Sequence, residues 1–142
     1  MKIYLDDVRI PTEKGWTIVR TFDEFVSKVD EVGLENIDLI SLDHDLDKTA
    51  MQEWVFNTFK NYQINYSNIK EKTGLDCAKW LVEQWEKGKP VVKVVVHSAN
   101  AIGSGNIMGY INHFKHTKHL LQDCYRVDIQ HTVDEKLKEK LK

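Results

Sequence analysis

Ile37-Asp38-Leu39-Ile40-Ser41-Leu42, followed at once by Asp43-His44-Asp45, is apolar apart from Asp38 and Ser41. A strand wetted on one face would alternate, whereas a near-continuous run is expected of a strand covered on both faces of a mostly parallel sheet. The stretch therefore predicts a central strand with three polar residues just past its carboxyl end. Two other apolar runs finish the same way. Ile3-Tyr4-Leu5 leads into Asp6-Asp7-Val8-Arg9, and Val91 to Val96 leads into His97-Ser98-Ala99-Asn100. Parallel strands deliver the residues just past their carboxyl ends to one edge, where ligands bind in the crevice of an open α/β sheet. The acids and histidines of the three clusters are thus expected around one pocket.

The segments between these runs supply the rest of the fold. Trp16 to Arg20 reads as a further strand after the breaker Pro11. Thr21-Phe22-Asp23-Glu24 then has the spacing of a capping box, with Phe22, Phe25, Val26, Val29 and Val32 at helical intervals and Gly33 as the stop. Thr73-Gly74-Leu75-Asp76 repeats that spacing ahead of Leu75, Ala78, Leu81, Val82 and Trp85. After His97 the chain reads as a loop containing Gly103 and Gly105, then a helix through Ile107, Met108, Ile111 and Phe114. Cys124 to Ile129 reads as a last strand and Asp134 to Lys142 as a charged terminal helix. The alternation predicts one α/β three-layer domain over residues 1–142, with a mostly parallel five-stranded sheet and right-handed crossovers. Leu46 to Lys72 breaks the pattern, being too long for an ordinary connection. It reads as a helical insertion after the third strand, with Met51, Trp54, Val55, Phe59 and Tyr62 on one face, and as a candidate lid over the pocket. Its aromatic residues either pack down on the sheet or stack on a nucleobase.

With 42% hydrophobic and 30% charged residues, the 142-residue chain belongs to the globular class and can fold without staples. A net charge of -2 argues against binding bulk double-stranded DNA, although a small anion needs only local positive charge. Cys77 and Cys124 lack metal-knuckle spacing and read as core residues. No apolar run approaches the ~20 residues of a membrane span, and the amino terminus enters a strand directly, so a cytoplasmic location with no membrane partner is expected. Oligomeric state is not legible.

Asp6, Asp7 and Asp43 form an oxygen-rich group suited to Mg²⁺ or Ca²⁺, with Mg²⁺ the expected ion beside a phosphate. His44 and His97 suggest proton transfer, because two imidazoles across a phosphodiester can divide the work of base and acid. Asp43 or Asp45 could orient His44. Arg9, Ser98 and Asn100 could hold phosphate, and the segment through Gly103 to Asn106 could present helix amides to an anion. His113, His116 and His119 recur every third residue, which is poor geometry for a three-ligand metal site and better suited to the carboxyl end of a helix.

Leu5-Asp6-Asp7-Val8-Arg9-Ile10-Pro11, Ser41-Leu42-Asp43-His44-Asp45-Leu46, Thr73-Gly74-Leu75-Asp76 with Trp80-Leu81, and His97-Ser98-Ala99-Asn100 with Gly103, Asn106 and Met108 together resemble the cyclic-phosphate-processing receiver family. That resemblance implies a receiver-like, flavodoxin-like fold. It also implies phosphoesterase-like processing, or recognition, of a cyclic nucleotide or of an RNA end carrying a 2′,3′-cyclic phosphate, often in phage or defence settings. A non-catalytic module that captures a cyclic nucleotide is the alternative. A phospho-acceptor signalling receiver is the further alternative, since Asp6, Asp7 and Asp43 stand where such domains keep their metal acids and phosphorylated aspartate. It is disfavoured because Cys124 to His131 contains no lysine.

Overall fold

The computed structural model describes residues 1–120 and 122–137. Five strands form one sheet: β1 (Lys2–Leu5), β3 (Trp16–Val19), β4 (Leu39–Leu42), β5 (Lys93–Val96) and β6 (Tyr125–Arg126). Their order is β3-β1-β4-β5-β6 with every neighbouring pair parallel, so β4 is the central strand. This is the strand order of receiver-like α/β domains, and its switch point falls at β1 and β4, whose carboxyl ends carry Asp6-Asp7 and Asp43.

Three long helices follow strands of this sheet: α1 (Phe22–Val32), α4 (Gly74–Glu86) and α5 (Ala101–Thr117). α4 packs between α1 and α5. Ile3, Leu5, Ile40, Leu42, Val94 and Val96 join Phe25, Val29, Leu81, Trp85, Ile107 and Ile111 in one buried cluster, so alternate residues of each strand supply the core. Tyr4, Ser41 and Val95, the intervening residues, are buried as well. The strands thus read as continuous apolar runs because both faces are covered. Thr21 caps α1 by accepting from the Glu24 amide, and Thr73 with Asp76 closes a reciprocal capping box on α4. Cys77 and Cys124 are buried free thiols. No helix among the described residues is long and apolar enough to cross a membrane.

Four features depart from the sequence reading. α5 begins at Ala101, because the Asn100 side chain accepts the Gly103 amide and starts the helix there; Gly103 and Gly105 lie inside it rather than in a loop. The last strand is confined to Tyr125–Arg126, since the Cys124 amide and carbonyl are both taken by the Asn112 side chain. An extra antiparallel ladder joins β2 (Arg9–Pro11) to β7 (His131–Val133). Residues 46–72 do not hold one helix: α2 (Lys48–Glu53) passes into a π-helical turn over Trp54–Thr58 and a short α3 (Phe59–Asn61), which ends at Tyr62 with φ 57°. Asn57 bonds Glu53 and Asn61 bonds Asn57 through their side chains across these turns. Phe56 and Tyr62 are exposed, so these two aromatic residues do not pack down on the sheet. Residues 135–137 make a 3₁₀ turn, and the remainder of the expected terminal helix, 138–142, lies outside the described residues.

Candidate functional site

The end of β1 turns sharply because Asp6 organises it. Asp6 Oδ1 accepts the amides of Val8 and Arg9 at 2.9 and 2.8 Å, and Oδ2 accepts Nε2–H of His97 at 3.0 Å. Burial would raise this carboxyl, but the His97 hydrogen bond and the two amides outweigh it and hold Asp6 below the usual carboxylate range. His97 receives the Ser41 hydroxyl on Nδ1 at 2.7 Å, which fixes its proton on Nε2. Its ring stacks on Tyr4 with centroids 4.1 Å apart and planes within 8°. Burial is the main reason its pKa is lowered, so the imidazole is held neutral.

Asp43 stands at the end of the central strand and accepts the His44 amide at 2.9 Å. Burial first, then the charges of Asp6 and Asp7, push its carboxyl well above the usual range. Gly74 sits directly against this backbone. Its amide donates to the His44 carbonyl at 2.9 Å, and a Cβ there would lie 1.9 Å from the Asp43 carbonyl oxygen. The glycine of the Thr73-Gly74 motif is therefore what lets α4 approach the acids.

His44 is fully buried. Its Nδ1–H donates to Asp45 Oδ1 at 2.6 Å, and Nε2 faces the Tyr66 hydroxyl at 2.9 Å, which also takes Asn106 Nδ2–H at 3.1 Å. Asp45 Oδ1 takes a second hydrogen bond, from Asn100 Nδ2 at 3.2 Å. Gly103 walls the ring in: a Cβ there would fall 2.4 Å from the imidazole Cγ. The hydrogen bonds thus run in one direction, from Asn106 through Tyr66 and His44 to Asp45. Tyr66 had no signal in the sequence beyond its place in the 46–72 segment.

A cavity of about 280 Å³ opens beside these groups, lined among others by Asp7, Arg9, Asp43, Asp45, Ser98 and Asn100. The structure thus gathers residues from all three clusters. Met51 and Trp54 from the 46–72 segment, and His131 from β7, also line it. The two predicted imidazoles do not face each other across this space. His44 sits behind Asp45 and His97 behind Asp6, each with both ring nitrogens already bonded, because carboxylates and hydroxyls beside them satisfy groups that burial would otherwise leave unpaired. Asn100 is spent on Asp45 and on the α5 cap, so it positions rather than binds. Gly103 packs on His44, and Asn106 lines a separate groove between α4 and α5, so neither reaches the cavity. Arg9 lines the cavity and is only loosely paired, its Nε 3.9 Å from Asp6 Oδ2. Ser98 Oγ accepts the Asn100 amide at 3.1 Å, which leaves its proton to donate elsewhere. Arg126 holds the same loop from β6, donating to the carbonyls of Ser98 and Ala99 at 3.1 and 3.2 Å.

Asp6, Asp43 and His97 bring carboxylate oxygens and a ring nitrogen within 4.8 Å of one another, the His97 nitrogens being already taken by Ser41 and Asp6. Crowded carboxylates of this kind, with Asp7 and Asp43 on the cavity wall, fit a divalent cation shared with a phosphate, as Mg²⁺ is commonly held.

Comparison with curated proteins returned no match, and neither did comparison with solved structures. A family model, described as a cyclic-phosphate processing receiver domain, matches residues 1–113. That span contains the parallel strands through β5, the three acid and histidine clusters and most of α5. The chain belongs to the cyclic-phosphate processing receiver domain family.

Proposed function

We propose that the cavity binds a small cyclic phosphate ester, as a nucleotide or at an RNA end, and hydrolyses it to a monoester. The observation that carries this is the convergence of one guanidinium and one spare hydroxyl with Asp43 and Asp45 around about 280 Å³. That volume is at the small end for ligand sites and suits a sugar phosphate better than a long strand. Arg9 and Ser98 would hold the phosphoryl oxygens. Asp45, fixed by His44 and Asn100 on Oδ1, would take the proton of the attacking water on Oδ2. His44 acts through Asp45 and His97 through Asp6, as positioning groups. Asp6, Asp7 and Asp43 would hold a divalent cation, which when bound would neutralise phosphate charge. Met51 and Trp54 make 46–72 a lid beside the ligand.

Incubation with 2′,3′-cyclic AMP and with an oligonucleotide bearing a terminal cyclic phosphate tests this reading, with ³¹P NMR following the ring-opened product. Turnover that falls by about 10²-fold or more in Asp45→Asn supports it; turnover unchanged in that variant removes it. One observation favours a second reading, capture without cleavage: both ring nitrogens of His44 and of His97 are already committed inside the protein. Calorimetry showing tight binding, with the ligand recovered intact, would select capture over hydrolysis.

A further inference from the structure

The C-terminal arm brings an imidazole, His131, to the cavity wall from beyond the residues that the family model matches. Arg9, Ile10 and Pro11 pair antiparallel with Val133, Thr132 and His131. The Thr12 amide donates to Gln130 at 2.8 Å and the Asp134 amide to Val8 at 2.7 Å, so the ladder is closed at both ends. Arg20 fastens it further. Its Nη1 donates to the carbonyls of Asp6 and Arg9 at 3.0 and 2.7 Å, and its Nη2 reaches the Asp134 carboxylate at 2.9 Å. The turn that sets the β1 acids and the strand that carries His131 are therefore tied into one unit.

His131 differs from His44 and His97 in the ways that matter for proton transfer. It lines the cavity with Arg9, Asp43, Asp45 and Ser98, and it is exposed. Nδ1–H donates to the Ile129 carbonyl at 3.0 Å, which fixes the tautomer and leaves Nε2 with the exchangeable position. The same carbonyl can hold Nδ1–H in both protonation states, so the ring keeps its orientation while Nε2 gains or gives up a proton.

We propose that His131 is the proton donor to the leaving oxygen, an assignment that rests on the hydrolytic reading above. Water attacks phosphorus and its proton passes to Asp45 as the new oxygen–phosphorus bond forms. The bond from phosphorus to one ring oxygen breaks, and the protonated imidazole gives its Nε2 proton to that oxygen. The proton on Asp45 returns to His131 through solvent. One water is consumed, and a phosphomonoester with one freed hydroxyl remains.

Steady-state turnover of 2′,3′-cyclic AMP by the full chain, by His131→Gly, and by His131→Gly with added imidazole tests the assignment. His116→Ala serves as control, since His116 is exposed and paired with Asp123 beyond the site. Expected is a loss of about 10²–10⁴-fold in kcat/KM for His131→Gly, partial recovery with imidazole, and an unchanged control. Wild-type turnover with His131→Gly within about threefold of it overturns the assignment and leaves the hydrolytic reading standing. A loss that imidazole does not restore overturns it too, because His131 would then be structural. No wild-type turnover removes the hydrolytic reading, and this role with it.

Discussion

Replacing Gly74 by alanine tests how the site is built. α4 starts against the backbone of Asp43 and His44, with the Gly74 amide donating to the His44 carbonyl at 2.9 Å. An added Cβ would stand 1.9 Å from the Asp43 carbonyl oxygen and 3.1 Å from the His44 Cα. Both contacts are backbone, so neither can turn away as a side chain would, and α4 must retreat. Forcing a methyl group into a packed site costs about 1–3 kcal/mol. Losing the amide bond with its acceptor still buried adds about 1 kcal/mol. At the first turn of the helix little of alanine's advantage over glycine, about 1 kcal/mol in a helix interior, is recovered. The expected destabilisation of about 2–4 kcal/mol corresponds to a drop in Tm of very roughly 5–15 °C for a chain of this size. Urea unfolding followed by circular dichroism would measure it, with Gly105→Ala as the comparison, because among the described residues nothing lies within 4 Å of a Cβ there. Gly105→Ala is expected to be neutral or stabilising by up to about 1 kcal/mol. Equal stability of the two variants would refute the close approach of α4 to the acids.

Three further outcomes are expected from the same geometry. Tyr4 buries its hydroxyl without a hydrogen-bond partner among the described residues while its ring stacks on His97, so Tyr4→Phe is expected to keep the fold and to be neutral or stabilising by about 1 kcal/mol in a thermal melt. Asp43 has its carboxyl raised in the folded state, chiefly by burial and then by Asp6 and Asp7, so its contribution is complete below the unfolded carboxylate range and is lost as pH rises through the folded value. Asp43→Asn should therefore be more stable than wild type at pH 7 in chelating buffer and lose less stability as pH rises above the ordinary carboxylate range, as urea unfolding across a pH series would record. Arg20→Met frees the Asp6 and Arg9 carbonyls and the Asp134 carboxylate together, and is expected to cost about 1–3 kcal/mol and to speed amide exchange in residues 130–134, measured by hydrogen exchange.

The parts of the fold that were legible in the sequence are those governed by local signals. Ile37 to Leu42 announced a doubly covered central strand, and Thr21 and Thr73 announced two helix starts that their side chains do cap. The clustering of Asp7, Arg9, Asp43, Asp45, Ser98 and Asn100 was legible too, because parallel strands bring their carboxyl ends together whatever the loops do. The direction in which each side chain leaves its backbone could not be read. His44 and His97 come after their strands as expected, yet each turns inward to a carboxylate, and only three-dimensional packing decides that. Asn100 looked like a ligand for phosphate because its side chain's partners, the Gly103 amide and Asp45, are set by where α5 begins. The ladder between β2 and β7 was hidden for another reason. Pro11 reads as a breaker, and a three-residue strand pairing with a segment more than a hundred residues away has no local signature. His131, Tyr66 and Arg126 were missed on the same account, since none sits beside a motif in the sequence.

³¹P NMR of 2′,3′-cyclic AMP held with the protein reads both binding and ring opening in one spectrum. The geometry of the cavity between Arg9, Asp43, Asp45 and Ser98 predicts that the cyclic phosphate signal decays and that of a phosphomonoester grows, with Asp45→Asn arresting the change. A cyclic phosphate signal that neither shifts nor decays at high protein concentration would contradict it.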